Sequence, residues 1–200
     1  MAATDKVKIC NMALSNIGDR DAIESLTEGT PQANECLLWY DESRLEALEA
    51  HEWNFARQRL TLATSSDDAP SGVWTYRYQY PSNAVIVRKL QNPSGETADM
   101  VPYRIELNDA ATAKTILTDL KDAVAVYTAD IETTTLFTPY FVKMLAASLA
   151  SNIAFALTGK LSIAKSMTEL FTTLSLAAPA FNANEDKEAP PREAEWIRGR

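Results

Sequence analysis

The spacing of hydrophobic and polar positions changes twice along the chain and divides it into helical, alternating and again helical parts. Over residues 4–17, apolar side chains recur at helical intervals and Gly18 follows as a typical stop, which predicts a first helix. Between residues 58 and 130, polar and apolar side chains alternate in short runs, as they do in β-strands. Helical spacing then returns over residues 140–157 and 160–178.

The chain is organised around residues 30–62, where a long helix leads into the first strand. Thr30 can cap this helix, and Pro31 suits its first position, where a missing N–H costs nothing. Near Trp53 the spacing changes to alternation, so the helix should cover about 24 residues. Its apolar arc comprises Leu37, Leu38, Leu45, Leu48 and Phe55, and a separate arc carries Glu35, Glu42, Glu46 and Glu49.

The joint between this helix and the sheet, residues 51–57, contains two large aromatic side chains. Trp53 and Phe55 could wedge the helix against the sheet, because aromatic residues bury large apolar areas. An ordinary core corner is the favoured interpretation. His51 has no neighbouring Cys or Ser that it could activate, so nucleophilic catalysis at the joint is disfavoured.

The alternating part is predicted to hold short strands in a mostly antiparallel sandwich or partly open barrel. The predicted strands are 59–64, 74–80, 84–90, 103–107, 114–117 and 123–127. The second strand has one aromatic face that is larger than a small sheet needs, which makes this face a candidate contact surface. Its members are Trp74, Tyr76, Tyr78 and Tyr80.

After the sheet, the chain is predicted to return to helices. Thr138 caps a helix that begins with Pro139 and is rich in alanine, so neighbouring helices can approach it closely and we expect it to be central. Gly159 ends it, and Pro179 ends or kinks the last helix. The predicted fold class is α+β: a bundle of about four helices from residues 1–57 and 131–181, an inserted β domain at 58–130, and an extended C-terminal arm at 182–200.

The C-terminal arm is too polar to fold alone, since nine of its last sixteen residues are charged. Its end nevertheless places Trp196 among arginines, and an aromatic residue flanked by arginine is the usual composition of a binding hot spot. A binding arm is therefore favoured over an idle terminus. The residues that would make contact are Pro190, Pro191, Trp196, Ile197, Arg198 and Arg200.

Composition narrows the possible functions. The 200 residues suit one domain, or two small lobes with a shared core, and the hydrophobic fraction is 46%. A formal charge of −8 argues against gripping nucleic acid through its phosphates, but it permits a surface that DNA passes without sticking. With one histidine and only Cys10 and Cys36, which could meet in space, no zinc site, disulfide framework or cofactor is expected.

Neither membrane nor export signals are evident in the sequence. No apolar run approaches the roughly 18 residues of a membrane helix, and no apolar signal region follows the N-terminus. We therefore expect no membrane partner, and a protein that is made and kept in a cytoplasm unless something carries it out.

The carboxylates do not form a convincing catalytic pair. Asp41 and Glu52 fall on the apolar arc of the long helix, and Arg44 lies at salt-bridge spacing from Asp41. Arg57 or Arg59 could also turn back onto this acid. A structural ion pair is favoured over an acid–base role. Glycine-rich phosphate-binding motifs are absent from the sequence, so the residues alone predict a protein that is not an enzyme.

The first 90 residues contain a series of short motifs. They are Lys-Ile-Cys-Asn-Met-Ala-Leu at 8–14 with Ile-Gly at 17–18, residues 36–41, Leu48, His-Glu-Trp-Asn-Phe-Ala at 51–56, Trp-Thr-Tyr at 74–76 and Tyr-Pro-Ser at 80–82. This order resembles the tail tubular protein A family, the head-to-tail adaptors of tailed bacteriophages. The rest of the chain resembles the family in element order and length, and the Trp-Asn-Phe-Ala corner is the most specific piece.

The resemblance implies a structural ring protein of the virion neck or tail, assembled in the host cytoplasm. Similar adaptors form rings of twelve subunits that dock under the portal protein after DNA packaging. Their helical part faces the portal, and their sheet faces the next tail component, often the nozzle protein. In short-tailed phages the tail fibres attach nearby. Genomic DNA passes through such a ring without specific binding.

The resemblance also suggests roles for the residues singled out above. The C-terminal arm would bind the portal, and the aromatic face would contact another subunit or a tail protein. The glutamates would line the channel or simply face solvent; they are Glu35, Glu42, Glu46 and Glu49.

Two other classes stay open. A carboxylate-dependent hydrolase would need Asp41 or Glu52 inside a cleft. An acidic binding protein that mimics nucleic acid would need a contiguous acidic surface on a monomer. A mass measurement or an image with portal protein added separates a ring from both alternatives.

Overall fold

The computed structural model describes residues 5–93 and 101–183, which form four α-helices and two three-stranded antiparallel sheets. The predicted α+β class is confirmed. The helices are α1 (Lys6–Asn16), α2 (Pro31–Ala50), α3 (Pro139–Thr158) and α4 (Leu161–Asn182). The strands are β1 (Arg57–Thr61), β2 (Tyr76–Gln79), β3 (Ala84–Gln91), β4 (Tyr103–Leu107), β5 (Lys114–Thr118) and β6 (Val124–Ala129). The predicted contact residues of the arm lie outside the described residues; they are Pro190, Pro191, Trp196, Ile197, Arg198 and Arg200.

Local signals start and stop the helices as the sequence predicts. The side chain of Thr30 accepts a hydrogen bond from the backbone N–H of Ala33, and Pro31 occupies the first position of α2. Thr138 and Pro139 start α3 in the same way. Gly159 ends α3 with φ +67°, in the left-handed region that favours glycine.

Helix α3 lies at the centre of the bundle, as predicted, and contacts α1, α2 and α4. Its alanines at 146, 147 and 150 are buried, which allows the neighbouring helices to approach closely. By length and hydropathy alone α3 could cross a membrane, but 61% of the apolar stretch is buried inside this structure. The other helices therefore cover most of the apolar surface of α3.

The buried side of α2 differs from the predicted apolar arc. Leu37 and Leu38 are 54% and 65% exposed, so the prediction that places them on the apolar side is wrong for both. The helix instead buries a side made largely of small and polar residues, because small side chains fit against the alanine-rich α3 and because Ser43 and Arg44 have hydrogen-bond partners. This side comprises Ala33, Cys36, Tyr40, Ser43, Arg44, Ala47 and Leu48.

The β part consists of two sheets with strand orders β1-β6-β3 and β2-β5-β4. Both sheets contribute to one core, which includes Val87 and Tyr127 from the first sheet and Tyr78 and Ile116 from the second. The architecture is therefore the antiparallel sandwich-like arrangement that the alternation predicts. The first strand begins two residues earlier than predicted, at Arg57, because it pairs with β6 from the corner onward.

The β part is fastened to the end of α2 through Arg88 of β3. One guanidinium nitrogen of Arg88 donates to the carbonyl oxygens of Leu48, Glu49 and His51 at 3.1, 2.8 and 2.9 Å. These are carbonyls at the negative end of the helix dipole, where a cation is stabilised. The contact fixes how the sheets sit on the helical bundle.

Helix α4 continues through Pro179 to Asn182, so the predicted end at residue 178 is wrong. The proline occurs inside the helix, and the following turn is retained because Asn182 is bonded to the corner after α2. Asn182 is also the first residue of the predicted arm.

Candidate functional site

The corner Trp53–Ala56, the most specific piece of the resemblance, lies in the helical core. The indole N–H of Trp53 donates to the carbonyl of Ala47 at 2.8 Å, and its ring meets Phe141 edge-on with centroids 5.2 Å apart. Phe55 packs on Phe141 and Phe137 at centroid distances of 5.0 and 5.7 Å. The two aromatics therefore pack against α3 and the turn before it, in the core corner favoured from the sequence and not as a wedge between helix and sheet.

Asn54 is hydrogen-bonded to Asn182 at the end of α4, and we call this pair of residues the clasp. The backbone N–H of Asn54 donates to the Oδ1 of Asn182, and its own side-chain amide donates to the Asn182 carbonyl, both at 3.0 Å. The Nδ2 of Asn182 donates in turn to the Glu52 carbonyl at 2.9 Å. The corner therefore fixes the point from which the chain continues beyond residue 183. The sequence contains no periodic signal for this pairing, because the residues lie in different elements far apart along the chain.

A mainly apolar depression of about 420 Å³ opens beside this clasp; we call it the corner groove. The Tyr140 and Phe181 rings stack in it with centroids 4.0 Å apart, and the Tyr140 hydroxyl donates to the Leu174 carbonyl at 2.8 Å. A volume of this size accepts one aromatic or aliphatic group of a ligand or peptide. Its lining residues are Trp53, Thr138, Pro139, Tyr140, Lys143, Phe181 and Asn182.

Three of the predicted channel acids form an exposed row on α2, which we call the acidic stripe: Glu42, Glu46 and Glu49. Together with Asp130 they line a second depression, of about 450 Å³, between α2 and the start of β3. Glu46 also accepts a hydrogen bond from the buried hydroxyl of Ser148, so this carboxylate is held against α3. The fourth predicted acid, Glu35, is half-buried. Among the described residues that line this depression none is basic, so the stripe presents negative charge, which suits repulsion of phosphate.

A buried guanidinium on α2, that of Arg44, contacts the same Asp130. Arg44 is 3% exposed and forms ion pairs with Asp41 at 3.4 Å and with Asp130, and it donates to the Ile131 carbonyl at 3.0 Å. The predicted Asp41–Arg44 pair is confirmed. Burial opposes the charge of Arg44, but the hydrogen bond and charge of Asp130 outweigh this and raise its pKa. The Asp130 contact could not be predicted, since no local spacing links α2 to the end of β6.

The acids that a hydrolase would need already carry basic partners. Asp41 is exposed and bridges to Lys6 at 3.7 Å as well as to Arg44. Glu52 bridges to Arg57 at 2.9 Å. Among the described residues, no group of three or more His, Cys, Asp or Glu side chains is placed to hold a metal ion.

The aromatic face of the second predicted strand is partly used inside the sandwich. Tyr78 is buried, and its hydroxyl donates to the Leu120 carbonyl at 3.1 Å and accepts from the Asp122 N–H at 2.9 Å. Tyr76 stacks beside it with centroids 6.0 Å apart. Trp74, Tyr76 and Tyr80 are half-buried and keep some surface toward solvent.

Cys10 and Cys36 do meet, as free and buried thiols on α1 and α2. The Cys10 thiol is hydrogen-bonded to the Cys36 sulfur, and this bond, together with burial, raises the pKa of Cys10. The same bond lowers the pKa of the Cys36 thiol, so the two buried sulfurs form a hydrogen-bonded contact between the two helices.

No protein-family model matches this chain, and no curated protein sequence matches it. The described geometry offers two surfaces for function, the corner groove and the acidic stripe, which have no lining residue in common among the described residues.

Proposed function

We propose that the protein is a head-to-tail adaptor of a tailed bacteriophage, of the tail tubular protein A type, which docks on the portal as a ring and joins it to the tail nozzle. The main support for this proposal is one observation. The motif residues on which the resemblance rests are also the residues that hold separate elements of the fold together.

Three contacts illustrate this observation. Asn11 in the first motif exchanges two 2.9 Å hydrogen bonds with the backbone of Ile23 and so fixes the loop after α1. Cys10 of the same motif contacts Cys36 of the next. Asn54 in the corner motif clasps Asn182. A chance match of single residues would not favour positions with such structural roles. We therefore take these contacts as support for an architecture in common with the adaptor family.

The architecture suits an adaptor in a second respect. The bundle and the sandwich have separate cores, and Arg88 and Ile131 connect them. Two lobes in a fixed relation can contact one partner above and another below, as the resemblance implies for portal and nozzle. In this proposal, the C-terminal residues of the chain provide a third contact, with the portal.

The acidic stripe supports a role in the DNA channel. Exposed carboxylates give phosphates no counter-charge to hold, so DNA slides past rather than binding. In the proposed ring, the stripe of each subunit faces the lumen.

Exposed apolar side chains on the bundle support lateral subunit contacts. Burying exposed leucines between subunits removes apolar surface from water and so stabilises the contact. We assign these residues to the contacts between neighbouring subunits: Leu37, Leu38, Leu161 and Leu176.

The test is to mix the purified protein with the portal protein encoded in the same phage genome, and to record mass and class-averaged images. We expect a closed ring of copies on each portal. The variant Leu38→Lys should weaken the ring, whereas Leu107→Lys, a similarly exposed leucine on the sandwich, should leave the lateral bundle contacts intact. A single copy per portal, or a monomer that cleaves a substrate, would refute the proposal.

A further inference from the structure

We infer that the corner groove is the docking site for the C-terminal segment of the same chain, residues 184–200, with Trp196 seated beside Tyr140 and Phe181. This docking concerns the isolated protein, and it holds whether or not a portal is the physiological partner.

The groove has the chemistry of an aromatic-binding site. Phe181 is 52% exposed although it stacks on Tyr140, so one aromatic edge remains uncovered. Aromatic side chains prefer to add to such a pair at an offset or edge-on. Of the described lining residues only Lys143 is charged, and its ammonium can lie over an indole face.

The position of the segment favours it over other occupants. The clasp between Asn54 and Asn182 starts the segment at the rim of the groove. The stretch from Ala183 to Trp196 can span at most about 45 Å, ample for a return to its own origin. Docking within one chain takes place at an effective concentration in the millimolar range, which a second copy or a separate protein seldom reaches.

The sequence of the segment fits the groove. Trp196 and Ile197 are its only large apolar residues, so no other anchor competes within it. Glu193 and Glu195 flank the anchor and can pair with Lys143 at the rim. The docked state therefore covers the apolar lining and pairs the charge of Lys143.

If the proposed function is right, the corner groove and the portal compete for Trp196 during assembly. Trp196 cannot occupy the groove and a portal pocket at once. The portal must displace it, so the arm is held back until its partner is present.

The experiment uses the full chain labelled with 5-fluorotryptophan, which gives one ¹⁹F signal for each of the four tryptophans. Trp196→Phe identifies the signal of Trp196. We measure the broadening of that signal by a soluble gadolinium complex, at concentrations where mass measurement shows a monomer. We expect Trp196 to be protected relative to a free peptide of residues 184–200.

Variants test where the protection arises. Phe181→Ala should lower the ratio of docked to free segment about tenfold, and Lys143→Glu about threefold. Phe155→Ala is the matched control, because Phe155 is 58% exposed on α3 and does not line the groove. Combining Lys143→Glu with Glu195→Lys should restore protection. The signals of Trp39, Trp53 and Trp74 report whether each variant keeps its fold.

The outcomes are decisive. Protection lost in Phe181→Ala and kept in Phe155→Ala supports docking in the groove. Trp196 as accessible as in the free peptide, or protected equally in both variants, overturns it. Protection that rises with protein concentration also overturns it, because the occupant would then be the segment of a second copy.

Discussion

Asn54 and Asn182 exchange hydrogen bonds between their backbones and side chains although they lie 128 residues apart in the sequence. The first follows the end of α2, and the second ends α4. Their clasp closes the helical bundle at the point where the chain enters the β part. It also holds α4 one turn beyond its internal proline, and so fixes where the C-terminal segment begins.

The variant Asn182→Ala should be destabilised by about 1–2 kcal/mol, because it leaves the Asn54 N–H and the Glu52 carbonyl without protein partners. In a chain of this size we expect a melting temperature lower by about 2–6 °C. The control is Asn34→Ala, which removes only one exposed 3.4 Å bond to Gly29. Equal melting shifts in the two variants would contradict the role of the clasp.

Removing the buried charge of Arg44 should be costly. Arg44→Leu leaves Asp130 without its guanidinium and the Ile131 carbonyl without a donor, and we expect a loss of about 2–3 kcal/mol in unfolding free energy. Adding Asp130→Asn should recover part of that loss, since no uncompensated carboxylate then remains. Arg104→Leu removes an exposed cation 3.9 Å from Glu106 and should cost less than about 0.5 kcal/mol. Urea denaturation measures all three, and a double variant no better than the single one would contradict the pairing.

These two contacts mark the limit of what the sequence predicts. Caps, stops and alternation are local signals, and they predict the element order, the central α3 and the α+β class correctly. The buried side of α2 is not determined by local sequence, because small alanines fit where α3 comes close and the larger Leu37 and Leu38 are left exposed. Arg44 can be buried because Asp130, at the end of β6, supplies its counter-charge. The corner motif is visible in the sequence, but its partner Asn182 is not.

His51, the only histidine in the chain, should make stability depend on pH. Burial, with Arg88 nearby, holds the pKa of His51 below its usual 6.5 in the folded state. The unfolded chain therefore binds the proton first as the pH falls below about 6.5, so this contribution to stability is complete above that pH and is lost on acidification.

We expect His51→Phe, which keeps an aromatic ring beside Trp53, to lose less stability than the wild type between about pH 7 and about pH 5.5. Thermal melts at both pH values measure the difference, and the carboxylates common to both proteins cancel. Parallel losses in the two proteins would show that His51 does not titrate on unfolding.

Reversing charge on the acidic stripe should slow the passage of DNA. In particles assembled with Glu42→Lys and Glu49→Lys, phosphates find cations in the lumen, so in vitro ejection should be slower at low salt and recover as salt screens the contact. Glu46 is left unchanged because it bonds to Ser148. Glu132→Lys with Glu169→Lys makes the same charge change at exposed positions outside the stripe. Equal ejection rates in both double variants would contradict the assignment of the acidic stripe to the channel.

The portal and the corner groove should compete for one tryptophan. Trp196→Ala should weaken portal binding by about 2 kcal/mol per subunit, roughly thirtyfold, because it removes the anchor of the arm. Phe181→Ala should strengthen binding by up to about tenfold, since an arm released from its own groove no longer has to be displaced. Phe155→Ala serves as the control for loss of an exposed aromatic outside the groove. Binding is measured by interferometry on immobilised portal rings. If Trp196→Ala weakens binding and Phe181→Ala leaves it unchanged, the arm binds the portal but the groove does not hold it back; if neither variant changes binding, the arm is not the portal contact.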